Sequence, residues 1–176
     1  MLDPVHLHPM IVHFPIALII VGLVSELAGL VFRRSFLTNS AVYLVLLGTV
    51  GLIAAYITGN LAGGGVEEAG SLKAALERHE DAALLAMILM IAFTAIRLLV
   101  HYKKWFKGWV RFGMAALFVV GVLAIARTGY YGGELVFKHA AGVQLDFGFG
   151  ANLDNGLANP TGNLADLAPV KPKNMD

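Results

Sequence analysis

Long apolar stretches separated by short polar segments make up most of the chain. Four of them approach or exceed the roughly 20 apolar residues that a helix needs to cross a bilayer. They run from about Pro9 to Phe32, Ser40 to Thr58, Ala82 to Val100 and Val110 to Thr128. The pattern predicts an all-α membrane protein, with a four-transmembrane-helix bundle in residues 1–143 and an extended exterior C-terminal tail in residues 144–176.

Local signals predict where these spans begin and end. Ser40 is a favourable N-cap for the second span, and Gly59–Asn60 predicts its end. Ser71 predicts a helix that starts in the aqueous layer and continues into the third span. Tyr130–Gly133 predicts a break after the fourth span, and Pro15 predicts a kink in the first. No internal repeat is apparent in the sequence.

Composition supports a lipid environment and narrows the possible chemistry. The chain is 57% hydrophobic and 14% charged, whereas a soluble domain is roughly 25% charged. The net charge of +1, without a basic stripe, argues against a nucleic-acid partner. The absence of cysteine excludes disulfides, zinc–thiolate sites and iron–sulfur ligation. Because the N-terminus lacks a basic region, no cleavable signal peptide is expected.

The distribution of lysine and arginine predicts the orientation in the membrane. The short segments that follow the first and third spans contain six of these residues: Arg33, Arg34, Lys103, Lys104, Lys107 and Arg111. Basic residues in short loops favour the cytoplasmic side. We therefore expect a multi-pass protein of the bacterial inner (cytoplasmic) membrane, with both termini on the periplasmic or exterior side.

Most of the histidines fall at one predicted membrane face. Of the six, His101 alone lies toward the cytoplasmic side; the others are His6, His8, His13, His79 and His139. In a chain without cysteine, neutral imidazole is the best ligand for haem iron, copper or zinc. Glycine and alanine in the spans would let helices part around a haem, but they also serve ordinary close packing in lipid.

Spacing along the first span separates its histidines. His8 and His13 are five residues apart, which is roughly 140° around an α-helix, so they would not share one metal unless the helix broke between them. The spacing suits two ligands of different sites, or one ligand and one hydrogen-bonding residue. A kink at Pro15 would turn His13 into the bundle. We expect His13, His79 and His139 to share a site, with His8 as a further candidate. His6 is expected to contact water or headgroups, like His101.

Three charged residues within the spans also stand out. Glu26 and Arg97 lie at similar depths in the first and third spans. Because an unpaired charge inside a membrane is costly, they are expected to form an ion pair. Arg127 lies at the level of the histidines, where it would pair with haem propionates or with Glu134.

Two segments of this sequence resemble a known family. They are His8-Pro-Met-Ile-Val-His-Phe-Pro-Ile-Ala17 and Gly132-Gly-Glu-Leu-Val-Phe-Lys-His-Ala-Ala-Gly-Val143. Together with an acidic residue late in the first span and a histidine that opens the third, they resemble the prokaryotic four-span family called domain of unknown function 2231. By that resemblance, His8, His13, His79 and His139 match the histidines of the family. Some members are fused to Rieske-type domains, which implies membrane electron transfer with a b-type haem.

These observations lead to one main hypothesis and two alternatives. The main hypothesis is a cytochrome b-like electron-transfer subunit, rather than a stand-alone enzyme, with one or two haems b near the outer face and a quinone as a further candidate ligand. His8, His13, His79 and His139 would be the axial ligands and Arg127 the propionate partner. The expected partners are the lipid bilayer and other subunits of a redox complex, such as a Rieske-type or c-type cytochrome protein. The alternatives are a non-haem metal site that includes Glu80 or Glu134, and a cofactor-free structural subunit or anchor.

Overall fold

The computed structural model describes residues 4–64 and 71–141, with side chains from Leu7 onward. Within these ranges the chain forms four helices: α1 (Pro4–Phe32), α2 (Ser35–Gly63), α3 (Ser71–Tyr102) and α4 (Trp109–His139). All four are long and apolar enough to cross a membrane. The four-span all-α prediction is therefore confirmed. The tail predicted for residues 144–176, and the His6 side chain, lie outside the described parts.

The helices are longer than the apolar stretches that predicted them. α2 begins at Ser35 rather than Ser40, and it continues past Gly59–Asn60 to Gly63. α3 begins at Ser71, as predicted. The break predicted at Tyr130–Gly133 is wrong, since α4 continues to His139. In a lipid environment the helix satisfies the backbone polar groups internally, and this favours a continuous helix over the local preference of glycine.

Each helix packs against its neighbours in the sequence, and α4 also packs against α1. The result is an up-and-down four-helix bundle in which α1 lies diagonally across from α3. One end, which we call the histidine end, carries the starts of α1 and α3 and the ends of α2 and α4. The opposite end, the loop end, carries the two short connections at 33–34 and 103–108.

Large apolar side chains fill the centre of the bundle. Ile19 and Met90 are fully buried, and the rings of Phe93 and Phe118 stack with their centroids 4.6 Å apart. The outward faces are also apolar, because every helix carries several large, exposed apolar side chains. A helix that is hydrophobic on all sides fits lipid rather than water.

The small residues of the first two helices are used for close packing. A Cβ at Gly48 would lie 2.6 Å from Ile19 Cγ1, and one at Gly29 would lie 2.5 Å from Thr38 Cγ2. α1 remains helical through Pro15, which is buried against Gly51. These glycines let α1 and α2 approach each other, as small residues do between membrane helices.

The α3–α4 hairpin repeats the α1–α2 hairpin. Gly48 faces Ile19 in the first hairpin, and Gly121 faces Met90 in the second, where a Cβ would again lie 2.6 Å from the facing side chain. Met90 follows Ile19 by the same 71 residues that separate Arg97 from Glu26. The two halves therefore share packing positions, although no repeat is apparent in the sequence itself.

Further equivalent positions agree with this repeat. Val45 of α2 and Phe118 of α4 are both buried in the core, and they keep the same sequence separation as Gly48 and Gly121. The contacts between α2 and α3 correspond to those between α4 and α1. Parallel repeats of this kind are related by an axis along the membrane normal. Equivalent residues of α1 and α3 can therefore meet at the centre of the bundle.

Candidate functional site

His8, near the start of α1, is held by a carbonyl group of α2. Its Nδ1 lies 2.9 Å from the carbonyl oxygen of Ala55, and the hydroxyl of Thr58 is 3.5 Å away. The ring lies beside Gly59, where an added Cβ would come within 3.0 Å of Cε1. The glycine provides the space that the imidazole occupies.

His79, near the start of α3, has the same environment in the second hairpin. Its Nδ1 lies 3.1 Å from the carbonyl oxygen of Thr128 in α4. A Cβ on Gly132, four residues further along α4, would lie 3.2 Å from His79 Cε1. In the repeat, His79 is thus equivalent to His8, Thr128 to Ala55 and Gly132 to Gly59.

The two imidazoles face each other across the bundle diagonal. Their ring centroids are 6.4 Å apart, and the ring planes are nearly perpendicular at 78°. Both side chains are half-buried at the histidine end. The repeat therefore brings two equivalent imidazoles together near its axis.

The hydrogen bonds determine which ring nitrogen is available for chemistry. A carbonyl oxygen only accepts, so Nδ1 of both His8 and His79 carries the proton in these bonds. In a neutral imidazole the lone pair is then on Nε2. Histidines that bind metals are commonly oriented by a bond of this kind to a backbone carbonyl.

The structure does not bring His13, His101 or His139 into this pair. His13 is exposed, and its Nδ1 donates to the carbonyl oxygen of Pro9 at 2.6 Å within α1. Despite Pro15, His13 is not turned into the bundle. His139 is the half-buried last residue of α4, and His101 is exposed at the loop end.

No three acidic or histidine side chains lie close enough to hold one metal ion within the part of the chain that the structure describes. The residues brought together are therefore the pair His8 and His79, without a third protein ligand from that part. Ligation by His13 and His139, at this or another site, stays a prediction.

Arg127 lies in a cavity between α3 and α4. Its Nη2 donates to the hydroxyl of Tyr131 at 3.4 Å, and the guanidinium lies 5.5 Å from the ring centroid. Glu134, one of its two predicted partners, instead forms an ion pair with Lys138. The other predicted partner, a haem propionate, stays a prediction.

The predicted ion pair between Glu26 and Arg97 is confirmed. Arg97 Nη2 lies 3.1 Å from Glu26 Oε2, and both side chains are almost completely buried. The same nitrogen donates to the Thr38 carbonyl at 3.3 Å, and the guanidinium lies over the Phe106 ring at 4.0 Å. These contacts hold the Arg97 guanidinium in place beside the Glu26 carboxylate.

The sequence analysis missed the groups that orient the two imidazoles. Backbone carbonyls leave no mark in a sequence, so Ala55 and Thr128 gave no signal. Gly59 and Gly132 did give one, because each follows a buried glycine of its own hairpin, Gly48 or Gly121, at the same spacing. That shared spacing would have revealed the repeat.

Comparison with known proteins gives a family and no characterised relative. No curated protein matches the chain, and no solved structure matches it. A family model described as "Predicted membrane protein (DUF2231)" matches residues 4–145, which include all four helices. The chain therefore belongs to the family of predicted membrane proteins called domain of unknown function 2231.

Proposed function

We propose that this protein is a cytochrome b-like membrane subunit that holds a b-type haem between His8 and His79 and passes electrons within a larger redox complex. The observation that carries the proposal is the pair of equivalent imidazoles, each oriented through Nδ1 by a backbone carbonyl, with ring centroids 6.4 Å apart.

The separation of the rings suits two ligands on one metal. A bond between a metal and an imidazole nitrogen is about 2.0 Å long, so two imidazoles on opposite sides of one ion have ring centres roughly 6 Å apart. The centroids of His8 and His79 lie at 6.4 Å. Two imidazoles joined by a direct N–H···N hydrogen bond would have their ring centroids closer together than this.

The number of ligands favours haem over a bare ion. Zinc sites use three or four protein ligands, and the described residues offer no third histidine or carboxylate beside the pair. A haem would bring four nitrogens of its own, so two histidines would be enough to hold it. The donor set of His8 and His79 therefore fits haem.

The protein residues would orient the ligands and set their surroundings. The Ala55 and Thr128 carbonyls keep the proton on Nδ1 and fix the direction of each ring. Hydrogen bonding at Nδ1 also raises the basicity of the ligating nitrogen. A bound haem would supply one-electron chemistry.

The location and partners belong to the same proposal. The positive-inside pattern supports a bacterial inner membrane with the histidine end on the exterior side. Electrons would then enter or leave near that face, through a Rieske-type or c-type cytochrome partner. A quinone or a second haem at His13 and His139 extends the proposal and is tested with it.

The test is a visible spectrum of the purified protein. Expressed with ample haem and purified in detergent, it should show a sharp α-band and a shifted Soret peak in the reduced-minus-oxidised spectrum. His8→Ala and His79→Ala should each abolish the bis-histidine spectrum. His101→Ala, at the exposed loop end, is the matched control and should leave it unchanged.

A folded, haem-supplied protein without haem would overturn the proposal. Copper, zinc or iron without a Soret band would then support the non-haem site, and their absence would support the structural subunit. Loss of haem with His13→Ala or His139→Ala, but not with His8→Ala, would move the site to the other histidines.

A further inference from the structure

A second polar site lies between α3 and α4 at the histidine end. The cavity there is lined by two arginines, one carboxylate, one tyrosine and two apolar residues: Arg78, Asp81, Ala82, Leu85, Arg127 and Tyr131. The two positive charges outnumber the single negative one. The cavity is therefore suited to a ligand that carries an anionic group.

The internal repeat shows that the fold does not require this polarity. In the first hairpin the positions equivalent to Arg78 and Arg127 are Leu7 and Ala54, and the position equivalent to Asp81 is Met10. Met10 is 71% exposed, as expected for a residue that faces lipid. These equivalent positions are thus apolar in the α1–α2 hairpin and charged in the α3–α4 hairpin.

The arginines keep most of their hydrogen-bonding capacity for a ligand. Arg78 Nε donates to the carbonyl oxygen of Ala74 at 3.0 Å, and Arg127 donates to the hydroxyl of Tyr131. A guanidinium has five N–H donors in a planar fork that matches the oxygens of a phosphate. Each of these bonds uses one donor.

The cavity opens onto the lipid-facing surface of the bundle. Leu85 lies two helical turns from Arg78, or about 10 Å, toward the middle of the membrane, and it is 46% exposed. On α4, Leu123 is 62% exposed, one turn from Arg127 toward the middle of the membrane. A ligand that fills the polar end would continue along apolar side chains, as a phospholipid does.

We propose that the Arg78–Arg127 cavity binds the phosphate of a membrane phospholipid whose headgroup also carries an ammonium group. The two guanidiniums donate to the phosphate oxygens, and the Asp81 carboxylate accepts from the ammonium. Phosphatidylethanolamine has this chemistry. The site is separate from the histidine pair, and the inference does not depend on haem binding.

The repeat supplies the variant that tests this site. The double variant Arg78→Leu, Arg127→Ala gives the α3–α4 hairpin the residue types, leucine and alanine, that the α1–α2 hairpin has at the equivalent positions. Lys103→Leu with Lys107→Ala, two exposed residues of the loop end, is the control that removes the same charge. Native mass spectrometry from mixed micelles of phosphatidylethanolamine, phosphatidylglycerol and phosphatidylcholine measures the lipid that each variant retains.

The wild type and the lysine control should retain about one phosphatidylethanolamine, and the arginine variant should retain at least about tenfold less. Asp81→Asn should reduce the preference for phosphatidylethanolamine over phosphatidylglycerol while lipid is still retained.

Equal retention of lipid by the wild type and the arginine variant would overturn the proposal. Binding of phosphoethanolamine by the wild type without retention of any phospholipid would show that a soluble phosphate is the ligand, and it would overturn the proposal. If the arginine variant lost haem but retained as much lipid as the wild type, the arginines would be partners of the haem carboxylates, and the lipid proposal would be overturned.

Discussion

Arg97 on α3 donates to Glu26 on α1 across the diagonal of the bundle, at a distance of 3.1 Å. These two residues are equivalent positions of the internal repeat, as are His8 and His79 at the other end. Equivalent residues of α1 and α3 therefore meet near the repeat axis twice, once as the histidine pair and once as the ion pair. At the histidine end the two halves contribute the same residue, which suits a ligand held equally from both sides. At the loop end they contribute opposite charges, which attract each other.

Removing one member of the Glu26–Arg97 pair should destabilise the bundle strongly. The remaining charge would be buried without its partner, at a cost of about 3–5 kcal/mol. We expect Glu26→Gln and Arg97→Met to lower the unfolding temperature in detergent substantially. Glu26→Leu combined with Arg97→Leu should be closer to the wild type than either single variant, since a buried pair can be replaced by apolar residues.

Exchange of the two charges gives a second test of the same pair. Arg97 also contacts the Thr38 carbonyl and the Phe106 ring, and these contacts favour a cation on α3. Glu26→Arg with Arg97→Glu should therefore recover only part of the stability lost by either change alone. Full recovery would show that the Thr38 and Phe106 contacts contribute little.

A methyl group at either glycine beside the imidazoles should disturb the histidine pair. A Cβ at Gly59 would lie 3.0 Å from His8, and one at Gly132 would lie 3.2 Å from His79. Each ring would have to shift from the position in which its Nδ1 donates to the carbonyl. Gly59→Ala and Gly132→Ala should weaken haem retention by about 10-fold or more, the usual cost of losing a group that orients a ligand.

Gly113→Ala is the matched control for these glycine variants. A Cβ there has no neighbour within 4 Å, so the substitution should leave the haem spectrum and the haem affinity unchanged. Haem titration followed at the Soret band measures all three variants. Equal affinity for Gly59→Ala, Gly132→Ala and the wild type would contradict the assigned positions of the two rings.

The two core glycines should differ in how well they tolerate alanine. At both Gly48 and Gly121 a Cβ would lie 2.6 Å from the facing side chain. Ile19 is branched at Cβ and stiff, whereas Met90 is flexible and can move its sulfur. Gly48→Ala should cost about 1–3 kcal/mol of stability, and Gly121→Ala should cost less. Equal losses on thermal unfolding would mean that the backbones, rather than these side chains, set the helix spacing.

The sequence was sufficient to predict the number of helices and the buried ion pair. Apolar stretches of about 20 residues, with Glu26 and Arg97 at similar depths in two of them, have few arrangements in lipid. The sequence also placed most histidines at one end. It did not show which histidines meet, because that depends on how the hairpins pack. His13 was expected in the shared site, yet its position on α1 directs it away from His79.

Helix ends were predicted less well, because glycine signals that end a helix in water are weaker in lipid. Gly59 and Gly132–Gly133 were interpreted as stops, and α2 and α4 continue through them. Two of these glycines instead make room for imidazoles of the neighbouring helix. The repeat escaped notice because most equivalent positions hold different residues of similar burial.

The orientation in the membrane is open to a direct test because the chain contains no cysteine. Glu77→Cys and Lys103→Cys place a single thiol at exposed positions at opposite ends of the bundle. If the basic loop end is cytoplasmic, a membrane-impermeant maleimide added to intact cells should label the Glu77→Cys variant and leave the Lys103→Cys variant unlabelled. Permeabilised cells should label both, which serves as the control for thiol access. The reverse pattern would place the histidine end in the cytoplasm, and electron exchange at the exterior face would then be excluded.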